Sequence, residues 1–237
     1  MLRRRIHIQF TCLLVLLLFP CAFSQTKPND TSRDAISLYD SILSKLRSGD
    51  TKIDFTSLRI AYSETKDASP FGADHESRRV MNVAAMDGQC ADAIKLADDI
   101  LAKFYLSPDA HAAKSKCYSE LKDPAKAAFH KSIYLGLINS VLAKGDGNTF
   151  DTAYRVITIE EEYAVMKALG YTVWAQDYER RGDHLCDVLR ATDNKTKQAV
   201  KLYFNVDIPA RLEQKKTTVA SDPTLRVPKN RDVVRIS

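Results

Sequence analysis

The sequence predicts an α+β fold, in which N-terminal helical hairpins pack with a small C-terminal antiparallel β-meander. Apolar residues recur at helical intervals over the first two thirds of the chain. Within that part, a pattern of small residues repeats after 34 positions. Near the C-terminal end the period changes to two, which is typical of strands with one wet face. A meander needs a cover for its apolar face, so we expect helices and strands to form one unit.

Residues 1–24 have the anatomy of a secretory signal peptide. Arg3, Arg4 and Arg5 precede an apolar run, and Ala22 and Ser24 provide small residues before a mature start at Gln25. We therefore expect an exported protein, periplasmic or secreted. The apolar run is too short for a stable span, so no transmembrane segment is expected once the leader is removed.

A lipoprotein anchored at Cys21 is the alternative reading of the leader. The cysteine lies roughly where a lipidated residue would be found. Pro20 disfavours this alternative, because its ring restricts the extended backbone that a protease must bind.

Residues 25–53 are predicted to form a lead-in and a first helix. Thr31 and Asp34 have the spacing of a capping box, and Gly49 is a plausible end. A second helix is predicted to begin at Asp54, whose carboxylate can cap the free amides. Residues 54–207 are predicted to be a single α+β domain.

The 34-residue repeat predicts two stacked helical hairpins between His75 and Leu137. The segment 87–94 opens one helix and the segment 121–128 opens another, with alanines at matching positions. Small side chains let two helices approach closely, and 34 is the period of tetratricopeptide helix pairs. The helical part thus resembles tetratricopeptide-like repeats; a generic helical bundle remains the alternative.

The C-terminal third predicts three strands and a tail. A turn at 144–148 leads into an ambiguous stretch, in which strand formers at 154–159 precede a helix that ends at Gly170. The predicted strands cover 171–180, 184–191 and 196–206, and Pro209 is expected to end the sheet. Residues 208–237 are predicted to be a basic, flexible tail.

Charge and cysteine content exclude several classes of protein. The chain has 35 basic and 30 acidic residues, a net charge of +5, and three of the arginines lie in the leader. No broad basic face is implied, so nucleic acid is not an expected partner. Cys90, Cys117 and Cys186 remain after the leader, without the two-residue spacing of zinc or redox motifs. One disulfide plus a thiol, or three buried thiols, are both open.

Several short sequence motifs, in this order along the chain, are the basis of a family resemblance. They are Asp54-Phe55, Leu58-Arg59, Tyr62, Pro70-Phe71-Gly72, Gly145-Asp146-Gly147, Thr152-Ala153-Tyr154, Val156-Ile157, Glu161-Glu162-Tyr163 and Tyr203-Phe204-Asn205-Val206. Together they resemble a bacterial exported family known as domain of unknown function 4919. Where such a family shows a serine before the first loop glycine, this chain has Lys144. The resemblance supports export and the fold, and it implies no activity or cofactor.

The candidate binding residues are Asp146, Glu161, Glu162, Tyr163 and His130. Carboxylates near a glycine loop can bind a cation or act as an acid/base pair. The loop does not have the calcium-loop spacing, and no zinc-protease, serine-hydrolase or phosphate-loop motif is present, so no metal, cofactor or catalytic residue is assigned. The competing interpretation is that the acids only line a helix N-terminus, which the helix dipole favours.

The sequence therefore favours a non-catalytic binding or scaffold module that uses a helical-repeat groove. The expected partner is a protein or peptide, because short helical arrays present a concave face. The alternative is a small envelope hydrolase, in which Glu161 or Glu162 meets a histidine. A structural envelope component without a ligand is the third possibility. The sequence does not fix the oligomeric state.

Overall fold

The structure, a computed structural model, describes residues 28–221, and the side chains of residues 33–218. Helices come first and strands last, which confirms the α+β class. The leader and Cys21 lie outside the described residues. The helices are α1 (Pro28–Arg47), α2 (Phe55–Tyr62), α3 (His75–Met86), α4 (Cys90–Lys103), α5 (Pro108–Glu120), α6 (Pro124–Leu142), α7 (Ile159–Ala168) and α8 (Asp207–Ser221). The strands are β1 (Tyr154–Arg155), β2 (Tyr171–Arg181), β3 (His184–Asp193) and β4 (Ala199–Asn205).

Side-chain caps begin most of the early helices. Asp54, Asp74 and Asp123 each accept a bond from the backbone N–H three residues on, and the Ser107 hydroxyl caps α5 in the same way. The predicted start of α1 at Thr31 is wrong, because the helix already begins at Pro28. Proline is well suited to a first helical turn, where its missing N–H has no partner to lose.

Helices α3 to α6 form two successive hairpins, and α4 and α6 begin 34 residues apart, at Cys90 and Pro124. Helix α3 also contacts α5, so the first helices of the two hairpins lie side by side. Alanines at the contact surfaces are fully buried, as Ala93 and Ala110 illustrate. The 34-residue repeat therefore located the helix starts correctly.

The sheet has the order β1-β4-β3-β2. The three predicted antiparallel strands are confirmed by the pairing of β2 with β3 and of β3 with β4. The short strand β1 adds a parallel pair with β4, through Tyr154 opposite Phe204. Strand β2 pairs on one side only among the described strands, and its register shifts between Val173 and Ala175. Within the described residues, the outer edge of β2 therefore pairs with no other strand.

The helices cover one face of the sheet and a loop covers the other. Apolar side chains of α6 and α7, such as Ile138 and Val165, pack on Leu189 and Phe204. On the opposite face, Phe150 and its loop pack against a small second cluster on β3 and β4. A separate, larger core lies among α1 to α6.

The predicted tail from residue 208 is wrong in its first part. Residues Asp207–Ser221 form α8, and Ile208 and Leu212 are buried in the helical core. Pro209 lies in the first turn of this helix, where it is tolerated. Cys90, Cys117 and Cys186 are all free and buried, which selects three thiols over a disulfide. Among the described helices, none combines the length and hydropathy that a bilayer crossing requires.

Candidate binding groove and cleft

The candidate site is built around the first turn of α7, where three consecutive glutamates are buried. Glu160, Glu161 and Glu162 are each at most 1% exposed. The sequence placed these acids at a helix N-terminus, and the structure agrees. Consecutive helical residues point about 100° apart, so the three carboxyl groups meet three different surroundings.

Glu161 is bound on both oxygens by Arg59 of α2. Arg59 Nε donates to Glu161 Oε1 at 2.5 Å and Nη2 donates to Oε2 at 2.6 Å. The Ile157 backbone N–H also donates to this carboxylate, at 2.8 Å. A carboxylate with this many internal donors has little capacity left for a ligand. Glu161 therefore anchors α7 to α2.

Glu160 holds the loop that precedes α3. Its Oε2 accepts from the Ala73 backbone N–H at 2.8 Å, and its Oε1 accepts from Ser107 Oγ at 2.5 Å. Arg78 Nε lies 3.7 Å from the same carboxyl group. Burial raises the pKa of Glu160 to about 7, although the Arg78 charge opposes that rise. The Glu160 carboxyl group is thus poised between its two protonation states near neutral pH.

Glu162 is different, because no donor reaches it. Neither carboxyl oxygen has a hydrogen-bond partner within the described part of the chain. Burial raises its pKa well above the ordinary range, and the negative charges of Asp187 and Glu161 raise it further. The structure thus places an uncompensated carboxyl group between α7 and the sheet.

A short hydrogen-bonded chain lies beside Glu162. The Tyr163 hydroxyl donates to Gln176 Oε1 at 2.7 Å, and Gln176 Nε2 donates to Asp187 Oδ2 at 2.5 Å. Burial raises the pKa of Tyr163, and Glu162 and Asp187 add to the rise. These hydrogen bonds link α7 to the edge strand β2 and to its neighbour β3.

Two open depressions meet at Tyr163. The first, the loop cleft, has a volume of about 790 Å³ and lies between the loop before α3, the start of α3 and α7. Phe71 is 56% exposed beside it, and Arg78 contributes a guanidinium group. The residues that line the loop cleft are Ser69, Phe71, Gly72, Ala73, Asp74, His75, Arg78, Ile159 and Tyr163.

The second depression, the edge groove, has a volume of about 440 Å³ and runs between α7 and β2. Its helical wall comes from Tyr163, Met166 and Lys167, which share one face of α7. Its other wall comprises Tyr171 and the consecutive residues 173–176. These four residues include the register shift between Val173 and Ala175, so the groove follows the part of β2 where its pairing with β3 is irregular.

The other two candidates from the sequence lie elsewhere. Asp146 is exposed and accepts from the Asn148 backbone N–H at 2.9 Å and from Thr152 Oγ1 at 2.6 Å, so it shapes its own loop. His130 is buried in the helical layer, where its Nδ1 lies 2.9 Å from Nδ1 of His111. Of the five candidates, the structure brings together only Glu161, Glu162 and Tyr163.

The catalytic alternative gains no geometric support. Among the described residues, no histidine makes a hydrogen bond or ion pair with Glu161 or Glu162. In the same part of the chain, no three His, Cys, Asp or Glu side chains are grouped to hold a metal ion.

Sequence reasoning did not select Arg78, Trp174 or Gln176 as site residues. Trp174 is the single tryptophan of the chain and is 60% exposed in the edge groove. A tryptophan on the solvent side of a predicted strand could have indicated a binding surface. The groove itself could not be predicted, because its other wall is α7 and depends on tertiary packing. In the sequence, Phe71 and Gly72 belong to a predicted break between helices and to the Pro70-Phe71-Gly72 motif of the family resemblance, and neither feature indicates a binding role.

Comparison with known proteins gives one match. A sequence model described as a domain of unknown function (DUF4919) matches residues 27–216, which cover most of the chain. No curated protein and no solved structure matches this chain.

Proposed function

The chain belongs to the family of domains of unknown function DUF4919, and from that premise we propose that it is a binding protein for an extended polypeptide segment. The segment lies in the edge groove, pairs with the free edge of β2 and continues past Tyr163 towards the loop cleft. The sequence predicted a peptide partner on the helical array; the binding site that we propose lies instead between α7 and β2.

The free edge of β2 is the observation that carries this proposal. An unpaired strand edge offers a row of backbone N–H and C=O groups, which is the template for strand addition. Strand β2 is 11 residues long and has an exposed tryptophan beside the edge groove. Helix α7 provides a second wall, against which side chains of an added strand can pack.

The helical array is a less favourable site, because the chain itself occupies part of its surface. Helix α7 packs against both α5 and α6. Lys167 of α7 approaches Asp109 of α5, with Nζ 3.5 Å from Oδ1. A ligand for the array would have to compete with these contacts.

The loop cleft supports the same proposal. Its volume of about 790 Å³ lies in the usual range of ligand pockets, roughly 300–1,000 Å³. Its lining combines aromatic and aliphatic surface with one guanidinium group, which suits a peptide with mixed side chains. Tyr163 lines both depressions, so one extended segment can occupy them in succession.

The hydrolase remains the second candidate from the sequence, and the geometry favours it less. Glu161 is committed to Arg59, and Glu162 has no histidine partner among the described residues. Export to the periplasm or the medium also remains a proposal, supported by the leader sequence and by the family resemblance.

Selection from a displayed library of random 12-residue peptides tests the binding proposal. The purified protein should enrich peptides with alternating apolar and polar residues, which is the pattern of a strand with one buried face. Trp174→Ser should weaken their binding by about tenfold or more, since exposed tryptophans are frequent binding hot spots. The matched control is Leu121→Ser, which removes an apolar side chain that is 57% exposed outside the groove.

Proline substitution tests the strand edge itself. Along an antiparallel strand, neighbouring N–H groups point alternately towards the partner strand and away from it. Of Gln176→Pro and Asp177→Pro, one variant should therefore keep the β2–β3 ladder, and its thermal midpoint will identify it. That variant should lose the selected peptides. Failure to enrich any peptide, or full binding by the stable proline variant, would refute strand addition.

A further inference from the structure

Glu162 and Thr158 have buried side-chain oxygens that are unsatisfied in hydrogen bonding among the described residues. Within residues 33–218, the buried side-chain polar atoms without a partner are Thr158 Oγ1 and both carboxyl oxygens of Glu162. The two residues are four positions apart at the start of α7, so their side chains share one face of the helix. Burying a carboxyl group without donors is costly, and native proteins rarely leave one so.

The charges around Glu162 are negative. Asp187 of β3 and Glu161 of α7 are the charged groups that act on it, and Tyr163 faces it from the same helix. Glu161 is already paired with Arg59. Glu162 and Asp187 are then two neighbouring carboxyl groups that no cationic side chain of the described residues pairs with. Asp187 has Gln176 as its one hydrogen-bond partner among the described residues, a neutral donor.

The edge groove lies next to these two carboxyl groups. Gln176, which donates to Asp187, and Tyr163, which follows Glu162 in the chain, line the groove and are joined by a hydrogen bond. Both side chains are exposed, Tyr163 by 39%, so they can rotate outwards without disturbing the core. A positive group that passes between them would take over the donation to Asp187 and give Glu162 its missing donor.

We infer that Glu162 and Asp187 form the receptor for a lysine or arginine side chain of the bound segment. This inference rests on the proposed strand addition and names the side chain that the groove selects. An ammonium group has three donors and a guanidinium group five, enough for both carboxylates and the Thr158 hydroxyl. A metal ion fits less well, because hard cations require six or more oxygen ligands or retained water, and no set of three ligating side chains occurs here among the described residues.

The protonation behaviour of Glu162 supports the inference. Burial and the nearby negative charges raise its pKa, which favours the protonated form of this carboxyl group in the free protein. Entry of a cation favours the ionised form, and the proton leaves to solvent. Binding of a basic peptide should therefore weaken as the pH falls, whereas binding of a neutral analogue should not.

The peptide selection described above also tests the receptor. Enriched peptides should have lysine or arginine at one fixed position, at least about fivefold above the library frequency. Replacing that residue by norleucine, which keeps the apolar stem and removes the charge, should weaken binding by about 30-fold, the effect of breaking a buried charge pair. Glu162→Gln should weaken the basic peptide similarly and leave the norleucine peptide within about threefold.

Glu120→Gln is the matched control. Glu120 is an exposed carboxylate on α5 that pairs with Lys116, outside both depressions. This variant should bind both peptides like the wild type. Peptides enriched without a basic position, or a Glu162→Gln variant that binds the basic peptide normally, would overturn the receptor and leave strand addition intact.

A probe without a peptide keeps the inference testable if selection fails. n-Butylammonium chloride reproduces the lysine head group and stem, and the fluorescence of Trp174 reports on the groove that it would enter. The Trp174 fluorescence should change saturably as n-butylammonium chloride is raised to about 50 mM. A change that is absent with sodium chloride at equal ionic strength and absent in Glu162→Gln would support the receptor independently of strand addition. A wild-type protein without such a change, after a failed selection, would refute both proposals.

Discussion

Arg59 and Glu161, 102 residues apart in sequence, form a two-bond ion pair in which both side chains are 2% exposed. The pair joins α2 of the helical layer to α7, whose other side packs on the sheet. The guanidinium group also donates to the Arg155 carbonyl oxygen, at 3.1 Å. One arginine therefore connects the helices, the first strand and the wall of the edge groove.

Removing the guanidinium group should be strongly destabilising. In Arg59→Met a buried carboxylate loses its cation, and we expect the free energy of unfolding to fall by about 3–5 kcal/mol. Urea denaturation followed by circular dichroism measures this. Arg79→Met, in an exposed pair with Glu76, should leave the unfolding free energy almost unchanged, because solvent screens exposed ion pairs. Equal losses in the two variants would show that the Arg59 pair has no special structural role.

Gly72 should not tolerate a side chain. Its φ is +76°, and a Cβ atom there would lie 2.5 Å from Glu160 Oε2 and 2.9 Å from Glu160 Cβ. Gly72→Ala should cost about 1 kcal/mol for the backbone conformation and a further 1–3 kcal/mol for the clash.

The control is Gly88→Ala, at φ +73° with no atom within 4 Å of the added Cβ. Because the two glycines share their backbone conformation, the difference in unfolding free energy isolates the contact with Glu160. If both variants were equally stable, the loop before α3 could not depend on that close approach.

The buried histidine pair should make the protein acid-sensitive. His111 Nε2 donates to the Tyr105 carbonyl oxygen, so in the neutral ring its Nδ1 accepts from His130 Nδ1–H. Burial lowers the pKa of His111 to about 3 and that of His130 to about 4. The unfolded chain binds more protons below pH 6.5, so these two groups make stability rise from about pH 4 to pH 6.5.

His130→Asn should reduce this slope by about one proton, or about 1.4 kcal/mol per pH unit, while its amide can still donate to His111. Unfolding free energies at several pH values give the slope. The control is His184, where the hydrogen bond and charge of Asp207 raise the pKa. Its stabilising effect is present below pH 6.5 and lost at higher pH, so His184→Asn should change the profile in the opposite sense. An unchanged acid slope in His130→Asn would contradict the prediction.

Glu160 should have the opposite pH effect to the histidine pair. Its pKa rises from 4.5 to about 7 on burial, so the folded protein binds more protons than the unfolded chain between these values. Stability supplied by the protonated form is lost as the pH rises through this window. Glu160→Gln, which imitates the protonated group, should gain stability relative to the wild type by about 1.4 kcal/mol per pH unit there. A constant difference between the two proteins from pH 5 to pH 7.5 would show that Glu160 does not titrate in this way.

Sequence patterns predicted the local elements well where one signal dominated. The cap at Asp54, the helix starts 34 residues apart and the three antiparallel strands all depend on residues near one another in the chain. The pattern failed for α8, because a proline such as Pro209 can end a strand and is equally tolerated in the first turn of a helix. Strand β1 has only two residues, too few to show a period.

The candidate site was predicted only in part. The sequence identified Glu161, Glu162 and Tyr163 as candidates because they lie in a dense acidic segment. In the fold, however, the two adjacent glutamates have different surroundings. Glu161 meets Arg59, whereas Glu162 meets Asp187, and neither partner is close in the chain. His130 lies in the helical layer beside His111. It therefore makes no pair with Glu161 or Glu162, which the hydrolase hypothesis requires.

Composition, periodicity and capping residues by themselves determined the class of fold and the positions of most helices and strands, since these depend on backbone propensity and on which residues avoid water. Tertiary structure alone decided that α7 packs against β2, that Glu161 is paired with Arg59 and that Glu162 has no donor among the described residues. Those outcomes depend on which side chains from distant parts of the sequence are buried together. In a low-dielectric interior, a paired charge is strongly stabilised and an unpaired polar group is costly.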